Sequence, residues 1–145
     1  MRSRAVVVDT NVVVAGLLNR RADSPVARLL DGMLQAGFPF VVSVALLAEY
    51  RTVLMRPALA RLHGLTASEV DPVMLAIAQH AIVLAGGALA LAPGQTTLRA
   101  PDPGDPLLWD LLAARQDLVL VSGDKLLLQD PAMHGRVITS AQFWA

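Results

Sequence analysis

The sequence predicts an α/β protein with three layers, α/β/α, and a central parallel sheet. Short apolar runs rich in β-branched residues, such as Val6–Val8 and 118–121, are typical of strands that are buried on both faces. Between these runs lie stretches with the apolar spacing of amphipathic helices. Because strands that alternate with helices favour right-handed crossovers, the sheet is expected to be parallel, with helices on both faces.

Local signals predict where most of the elements begin and end. Ser24 before Pro25 predicts a helix N-cap, Gly37 the end of that helix, Ser43 the cap of the next helix, and Pro57 its end. The predicted strands are 6–8, 38–42, 82–84, 118–121 and 136–139, and the predicted helices are 11–18, 25–36, 44–56, 59–63, 67–78, 107–116 and 126–129. Residues 86–100 are expected to form an irregular connection, and residues 140–144 a terminal turn.

The composition limits the class of protein. We interpret residues 1–145 as a single domain, since this length suffices for one hydrophobic core. Hydrophobic residues make up 54% and charged residues 17% of the chain, which leaves little charge to cover a monomer. We therefore expect part of the apolar surface to meet a partner, and a homodimer is the simplest arrangement.

The sequence disfavours disulfides, thiolate and zinc sites, a signal peptide and a membrane span. The absence of cysteine excludes disulfides and thiolate metal sites, and the three distant histidines do not have zinc-ligand spacing. A first strand so close to Met1 leaves no room for a signal peptide, so we expect a cytoplasmic protein. Residues 73–92 are uncharged and long enough to cross a membrane, but Gln79-His80 and Gly86-Gly87 interrupt them, so we expect no membrane span.

Two aspartates follow predicted strands, Asp9 after the first and Asp124 after residues 118–121. Open α/β sheets bind ligands outside the carboxyl ends of their strands, so both positions suit a functional site. Aspartate is also among the best helix N-caps, and either residue could simply cap the helix that follows it. The recurrence of the pattern favours a site, because parallel strands bring their last residues to the same edge of a sheet.

Glu49 is one of only two glutamates in the chain. The other, Glu69, is explained by a capping box with Thr66. Glu49 lies too far inside its predicted helix to be a cap. It belongs to a polar stripe with Thr52 and Arg56, whereas Tyr50 belongs to the apolar core face of the same helix. The plain alternative is a solvated stripe with a weak Glu–Arg pair.

Four carboxylates can meet at one sheet edge. Asp105 begins a predicted helix before Pro106, and the helix of Glu49 can pack against the edge that carries Asp9 and Asp124. Four such charges would repel one another, and a hard divalent cation with oxygen ligands, Mg²⁺ or Mn²⁺, would neutralise them. Such a cluster supports metal-assisted hydrolysis of phosphodiester bonds.

These motifs occur in the order Asp9-Thr10-Asn11, Glu49, Asp102-Pro103-Gly104-Asp105 and Ser122-Gly123-Asp124. This order resembles that of PIN-domain ribonucleases, most closely the small prokaryotic PIN proteins regarded as VapC-like toxins of toxin–antitoxin pairs. The resemblance covers nearly the whole chain. It implies one PIN-like nuclease domain over residues 1–145 and a possible antitoxin partner. It also implies that the chain cleaves RNA with Mg²⁺ or Mn²⁺ held by Asp9, Glu49, Asp105 and Asp124.

The resemblance further implies supporting roles for Thr10, Asn11 and Ser122. Family members often have further acids beside the position of Asp105, whereas Gly104 and Pro106 flank it here. Asp102 therefore either takes the place of such an acid or only caps the turn.

A net charge of zero does not favour a strongly electrostatic nucleic-acid binder, although it permits a local basic patch. Arginines are concentrated in the N-terminal half of the chain. The candidates for phosphate contacts are Arg20, Arg21, Arg51 and Arg56, and a solvated surface is the alternative for each.

Other classes compete with a nuclease. A phosphatase-like Mg²⁺-dependent hydrolase of the haloacid-dehalogenase type also begins with a strand and an aspartate, but it needs a second aspartate where this chain has Asn11. A receiver domain needs an acidic pair near its first strand, which is not evident. A non-catalytic α/β interaction module would tolerate the apolar surface but would leave the four acids unexplained. Binding of a divalent metal separates the nuclease from the interaction module.

Overall fold

The structure, a computed structural model, describes residues 5–19, 21–84, 108, 111–113, 115, 117–129 and 136–144. The strands within these ranges are β1 (Val6–Val8), β2 (Val41–Ser43), β3 (Ile82–Leu84), β4 (Val119–Val121) and β5 (Val137–Ile138). The helices are α1 (Thr10–Leu18), α2 (Pro25–Gln35), α3 (Val44–Leu54), α4 (Pro57–His63), α5 (Ala67–His80), α6 (Lys125–Gln129) and α7 (Ser140–Trp144). Leu108 and residues 111–113, inside the helix predicted at 107–116, are also helical.

All the strand pairs are parallel, as predicted. β1 lies beside β4 and β4 beside β5, while β2 lies beside β3. A parallel bridge between Val6 and Phe40 joins the two groups, and the Val6 N–H donates to the carbonyl of Pro39 at 3.2 Å. The strands therefore follow the order β3–β2–β1–β4–β5, and Asp9 leaves the middle of the sheet at its carboxyl edge.

The inner strands are buried on both faces, which explains their continuous apolar sequences. Every residue of β1, β2 and β4 is buried, and Val7 and Leu120 are completely inaccessible to solvent. β3 differs because it lies at the edge of the described strands, where Ile82 is 41% and Val83 44% exposed. The buried strands thus form a rigid base for the loops at their carboxyl ends.

Predicted caps begin three of the helices. The Ser24 hydroxyl accepts a hydrogen bond from the Ala27 N–H at 3.2 Å, and the Ser43 hydroxyl accepts one from the Leu46 N–H at 3.0 Å. At the start of α5, the Glu69 carboxylate accepts a hydrogen bond from the Thr66 N–H at 3.1 Å, as expected for a capping box.

Several helix boundaries differ from their predictions by one or two residues, and the terminal turn expected at 140–144 is helix α7. Two of the boundary differences have a clear physical reason. α2 ends one residue earlier than the position of Gly37 suggests, so Ala36 takes the left-handed conformation, with φ of 56°. α3 ends at Leu54, and Pro57 is the first residue of α4 rather than only a stop signal. Proline fits there because the first helical position needs no N–H donor.

Within the described ranges, no helix is long and apolar enough to cross a membrane. In the described part of the uncharged segment 73–92, α5 ends at His80 and β3 follows it.

Candidate active site

The carboxyl ends of β1 and β4 bring Asp9 and Asp124 to neighbouring positions. The two strands are paired in register, with Val8 opposite Val121. The Asp9 N–H continues this pairing by donating to the Val121 carbonyl at 3.0 Å. Both aspartates therefore leave the sheet at the same level.

Ser122 connects these two acids. Its side chain is completely buried, and its hydroxyl donates to Asp9 Oδ2 at 2.7 Å. The same hydroxyl oxygen accepts a hydrogen bond from the Asp124 N–H at 3.0 Å. Because a serine hydroxyl has a single proton, this arrangement orients one oxygen of Asp9 and fixes the start of the loop that carries Asp124.

Glu49 reaches the same edge from α3. The hydroxyl of Thr10, the first residue of α1, donates to Glu49 Oε2 at 2.5 Å. None of the ion pairs between described residues involves Glu49. The weak Glu–Arg pair that the sequence offered as an alternative role for Glu49 is therefore not formed among these residues.

Asp9 and Asp124 use their side chains differently. Asp9 occupies the N-cap position of α1, but its side chain accepts no capping hydrogen bond. Asp124 Oδ1 accepts a hydrogen bond from the Leu126 N–H at 2.9 Å and so helps to begin α6. Asp124 therefore caps a helix with one oxygen. The Asp9 carboxylate is influenced more strongly by the Ser122 hydroxyl than by the Asn11 backbone at the start of α1.

The site concentrates negative charge around a buried carboxyl group. Burial raises the pKa of Asp9, and the charges of Glu49 and Asp124 raise it further. The Ser122 hydrogen bond and the backbone of Asn11 act in the opposite direction. The ion pairs within the described part of the chain leave all three acids without a cationic partner.

Tyr50 belongs to this site, although the sequence placed it only on the core face of its helix. It is completely buried, and its hydroxyl donates to the Val8 carbonyl at 2.5 Å. Burial, together with the charges of Asp9 and Glu49, raises the pKa of Tyr50, so the hydroxyl stays protonated and remains a donor. The available signal was its position directly after Glu49 as the only tyrosine of the chain.

The donor atoms present here are carboxylate and hydroxyl oxygens, which suit hard cations such as Mg²⁺ and Mn²⁺. The described residues contain no group of three or more acidic or histidine side chains placed to hold a metal ion. Asp102 and Asp105, the further acids predicted from the sequence, lie outside the described residues. The described acids are thus chemically suitable ligands but do not form a full metal site by themselves.

The candidate nucleic-acid contacts have different surroundings. Arg51 Nε lies 2.6 Å from Asp71 Oδ1, and Arg21 lies 3.7 Å from Asp23. Arg56 is exposed at the N-terminus of α4. Arg20 lies outside the described residues, and Asn11, one of the predicted supporting residues, is exposed in the first turn of α1.

Comparison with known proteins identifies one family. The chain matches the family model described as PIN domain over residues 5–126. This range begins before β1 and ends within α6, so it includes all four predicted carboxylates. No curated protein and no solved structure matches the chain.

Proposed function

The chain belongs to the PIN-domain family, and from this premise we propose that it is a Mg²⁺- or Mn²⁺-dependent endoribonuclease. PIN domains have a three-layer α/β/α fold, so the fold class predicted from the sequence is confirmed. They are usually nucleases and generally use divalent metals. The finer proposal concerns the substrate, RNA, and the residues that act on it.

The observation that carries the proposal is that the Asp9 carboxylate is buried beside two other acids. This carboxylate is 5% exposed, accepts a hydrogen bond from the Ser122 hydroxyl, and lies within the electrostatic influence of Glu49 and Asp124. A structural acid in such a position would destabilise the fold, because burial and neighbouring negative charge both oppose its ionisation. A cationic ligand would remove that penalty, which supports a metal site here.

The residues of the proposed site divide into metal ligands and groups that orient these ligands. Asp9, Glu49, Asp105 and Asp124 would be the ligands. Ser122 and Thr10 orient two of these acids through the hydroxyl contacts at 2.7 Å and 2.5 Å. When bound, the cation would supply an activated water and neutralise the charge that develops on the scissile phosphate.

We place RNA contacts on the arginines near α3 and before α2. Arg56 is exposed and lies just after the helix that carries Glu49. Arg51 and Arg21 each have an acidic neighbour, so a phosphate would compete with Asp71 and Asp23 for them. We therefore expect mutation of Arg56 to weaken RNA binding more than mutation of Arg51 does, because Arg56 would make the stronger salt-dependent phosphate contact.

Cleavage of RNA by the purified chain tests the proposal. The metal-free protein should leave single-stranded RNA intact, and addition of Mg²⁺ or Mn²⁺ should start cleavage. Asp9→Asn and Asp124→Asn should reduce the rate by orders of magnitude, as expected when a metal ligand is lost. Asp31→Asn is the matched control, because it removes the same charge from an exposed position on α2.

Four outcomes of these experiments would contradict the proposal. Cleavage that persists in EDTA would exclude metal dependence. Equal cleavage by Asp9→Asn and wild type would exclude Asp9 from the site. Metal-dependent hydrolysis of phosphomonoesters without RNA cleavage would favour a phosphatase-like hydrolase, and absence of metal binding would favour a non-catalytic interaction module.

We further propose that the protein is the toxin of a toxin–antitoxin pair, since its motifs resemble those of VapC-like proteins. Several large apolar side chains are exposed and could meet an antitoxin, among them Leu62 at 66% and Leu126 at 72% exposure. Expression of the wild type should arrest bacterial growth, whereas Asp9→Asn should not. Co-expression of the protein encoded beside its gene should restore growth. Uninhibited growth with active wild-type nuclease present would contradict this role.

A further inference from the structure

We propose that Tyr50 is a positioning residue of this site, whose hydroxyl holds the peptide group between Val8 and Asp9 in one orientation. The inference rests on the proposed metal-dependent function. It assigns Tyr50 no contact with metal or RNA, and its effect is expected to pass through Asp9.

The Val8–Asp9 peptide group is held from both sides. Its N–H donates to the Val121 carbonyl at 3.0 Å, and its carbonyl accepts the Tyr50 hydroxyl at 2.5 Å. In a trans peptide these two groups point in opposite directions, and the described residues contain no cis peptide bond. One bond therefore anchors the group to β4, and the other anchors it to α3. Loss of either anchor would free the end of β1, and Asp9 with it, to shift relative to Ser122.

Two consecutive residues of α3 bracket Asp9. Tyr50 binds the residue before it, Val8, and Glu49 binds the residue after it, Thr10. The core packing of α3 holds the helix as a whole, and these two polar contacts act at its junction with the end of β1. Two contacts, on either side of Asp9, fix the spacing between Glu49 and the end of β1.

Packing alone does not require the Tyr50 hydroxyl. The ring is completely buried in the core, and phenylalanine would fill nearly the same volume. Val8 is only 1% exposed, so without Tyr50 its carbonyl would lose this buried partner. The hydroxyl thus links the backbone of the site to α3, while the ring contributes to the core.

Tyr50→Phe tests the inference with a readout that is independent of activity. In the metal-free variant, hydrogen exchange of the Asp9 amide should become faster, because the peptide group is released on one side. Mn²⁺ affinity should fall about tenfold, as for the loss of other groups that orient metal ligands. RNA cleavage should fall with it and recover in part when the Mn²⁺ concentration is raised.

Ser24→Ala is the matched control, since it also removes one side-chain hydrogen bond, the one at the start of α2. It should lower the melting temperature while leaving Asp9 exchange and Mn²⁺ affinity unchanged. Equal losses of Mn²⁺ affinity in both variants would show a general stability effect and overturn the inference. Unchanged Asp9 exchange in Tyr50→Phe would also overturn it.

A second measurement does not depend on folding of the variant. Because Tyr50 is the only tyrosine, incorporation of 3-fluorotyrosine labels this position alone. Bound Mn²⁺ should broaden the fluorine resonance, and Asp9→Asn should weaken the broadening. If Mn²⁺ binds without broadening the signal, the metal lies far from Tyr50 and the end of β1, and the inference is wrong. If wild type binds no Mn²⁺ at all, the proposed function fails, while Asp9 exchange still tests the positioning role.

Discussion

At the residue scale, three hydroxyl groups organise the site. Ser122 donates to Asp9, Thr10 donates to Glu49, and Tyr50 donates to the carbonyl that precedes Asp9. Each acid or backbone group thus has a fixed partner before any ligand arrives. Such preorganisation would lower the cost of holding the acids in place for the proposed cation.

The raised pKa of Asp9 predicts a pH-dependent stability difference. Its folded-state pKa lies above the ordinary value of 3.8, so the folded state binds the proton more tightly than the unfolded state does. The folded state therefore loses stability as the pH rises from 3.8 through the raised pKa of Asp9. Asparagine caps as well as aspartate, and its amide oxygen can accept the Ser122 hydroxyl. In EDTA, Asp9→Asn should therefore be more stable than wild type at neutral pH, with the difference shrinking in acid.

Thermal melts from acid to neutral pH check the prediction. Addition of Mn²⁺ should reverse the order of stability of the two proteins, since only the wild-type site gains from metal binding. Exposed Asp31→Asn is again the control and should change little. A wild type that is more stable than Asp9→Asn in EDTA at neutral pH would contradict the unfavourable burial of Asp9.

Asp105, which lies outside the described residues, is tested in the same way, by comparing the stability of an Asp→Asn variant with and without metal. Asp105→Asn would preserve the helix cap that the sequence predicts but remove one charge, so the metal-free protein should lose little stability. Mg²⁺ or Mn²⁺ should then protect the variant less against heat than the wild type, and cleavage should fall by orders of magnitude. Equal protection and equal cleavage would show that Asp105 is only a cap.

At the scale of elements, the close packing of α1 on α2 depends on a glycine. A Cβ atom at Gly16 would lie 2.7 Å from the Val26 carbonyl oxygen and 2.9 Å from Leu30 Cβ. The first of these atoms belongs to the backbone, so the helices would have to move apart. This contact fixes how α1, which begins immediately after Asp9, lies against the next helix.

Gly16→Ala should therefore destabilise the protein by about 1–3 kcal/mol, the usual cost of overpacking, although alanine favours helices more than glycine does. Denaturant unfolding measures this change. Gly123→Ala is the control, because a Cβ there would meet nothing within 4 Å. Equal stability of the two variants would contradict the close-packing argument.

At the scale of the whole molecule, the exposed apolar side chains bear on assembly. Leu62, Leu75 and Leu126 are each more than half exposed, on three different helices. Together with the low charged fraction of 17%, they support the expectation of a partner.

Light scattering should give a mass of twice the 15.4 kDa chain. Single changes of Leu62, Leu75 and Leu126 to glutamate should show which helix lies in the interface, because a buried unpaired charge opposes association. A monodisperse wild-type monomer at concentrations on the order of tens of micromolar would contradict the homodimer.

The sequence by itself determined the features that depend on neighbouring residues. Continuous apolar runs predicted the buried strands, and Ser24, Ser43 and Thr66 predicted helix starts, because caps act over three or four residues. The position of Asp9 and Asp124 after parallel strands also predicted that they would lie at one edge. The family resemblance rested on the same short motifs.

Only the tertiary structure decided how the side chains of the site are used. The Ser122–Asp9 bond joins residues 113 positions apart, the Thr10–Glu49 bond spans 39 positions, and the Tyr50–Val8 bond spans 42. Local preference made Asp9 a plausible cap and Tyr50 a core residue. The packing of α3 and β4 around the end of β1 gave the Asp9 carboxylate and the Tyr50 hydroxyl their distant partners, since such contacts depend on the arrangement of whole elements rather than on neighbouring sequence.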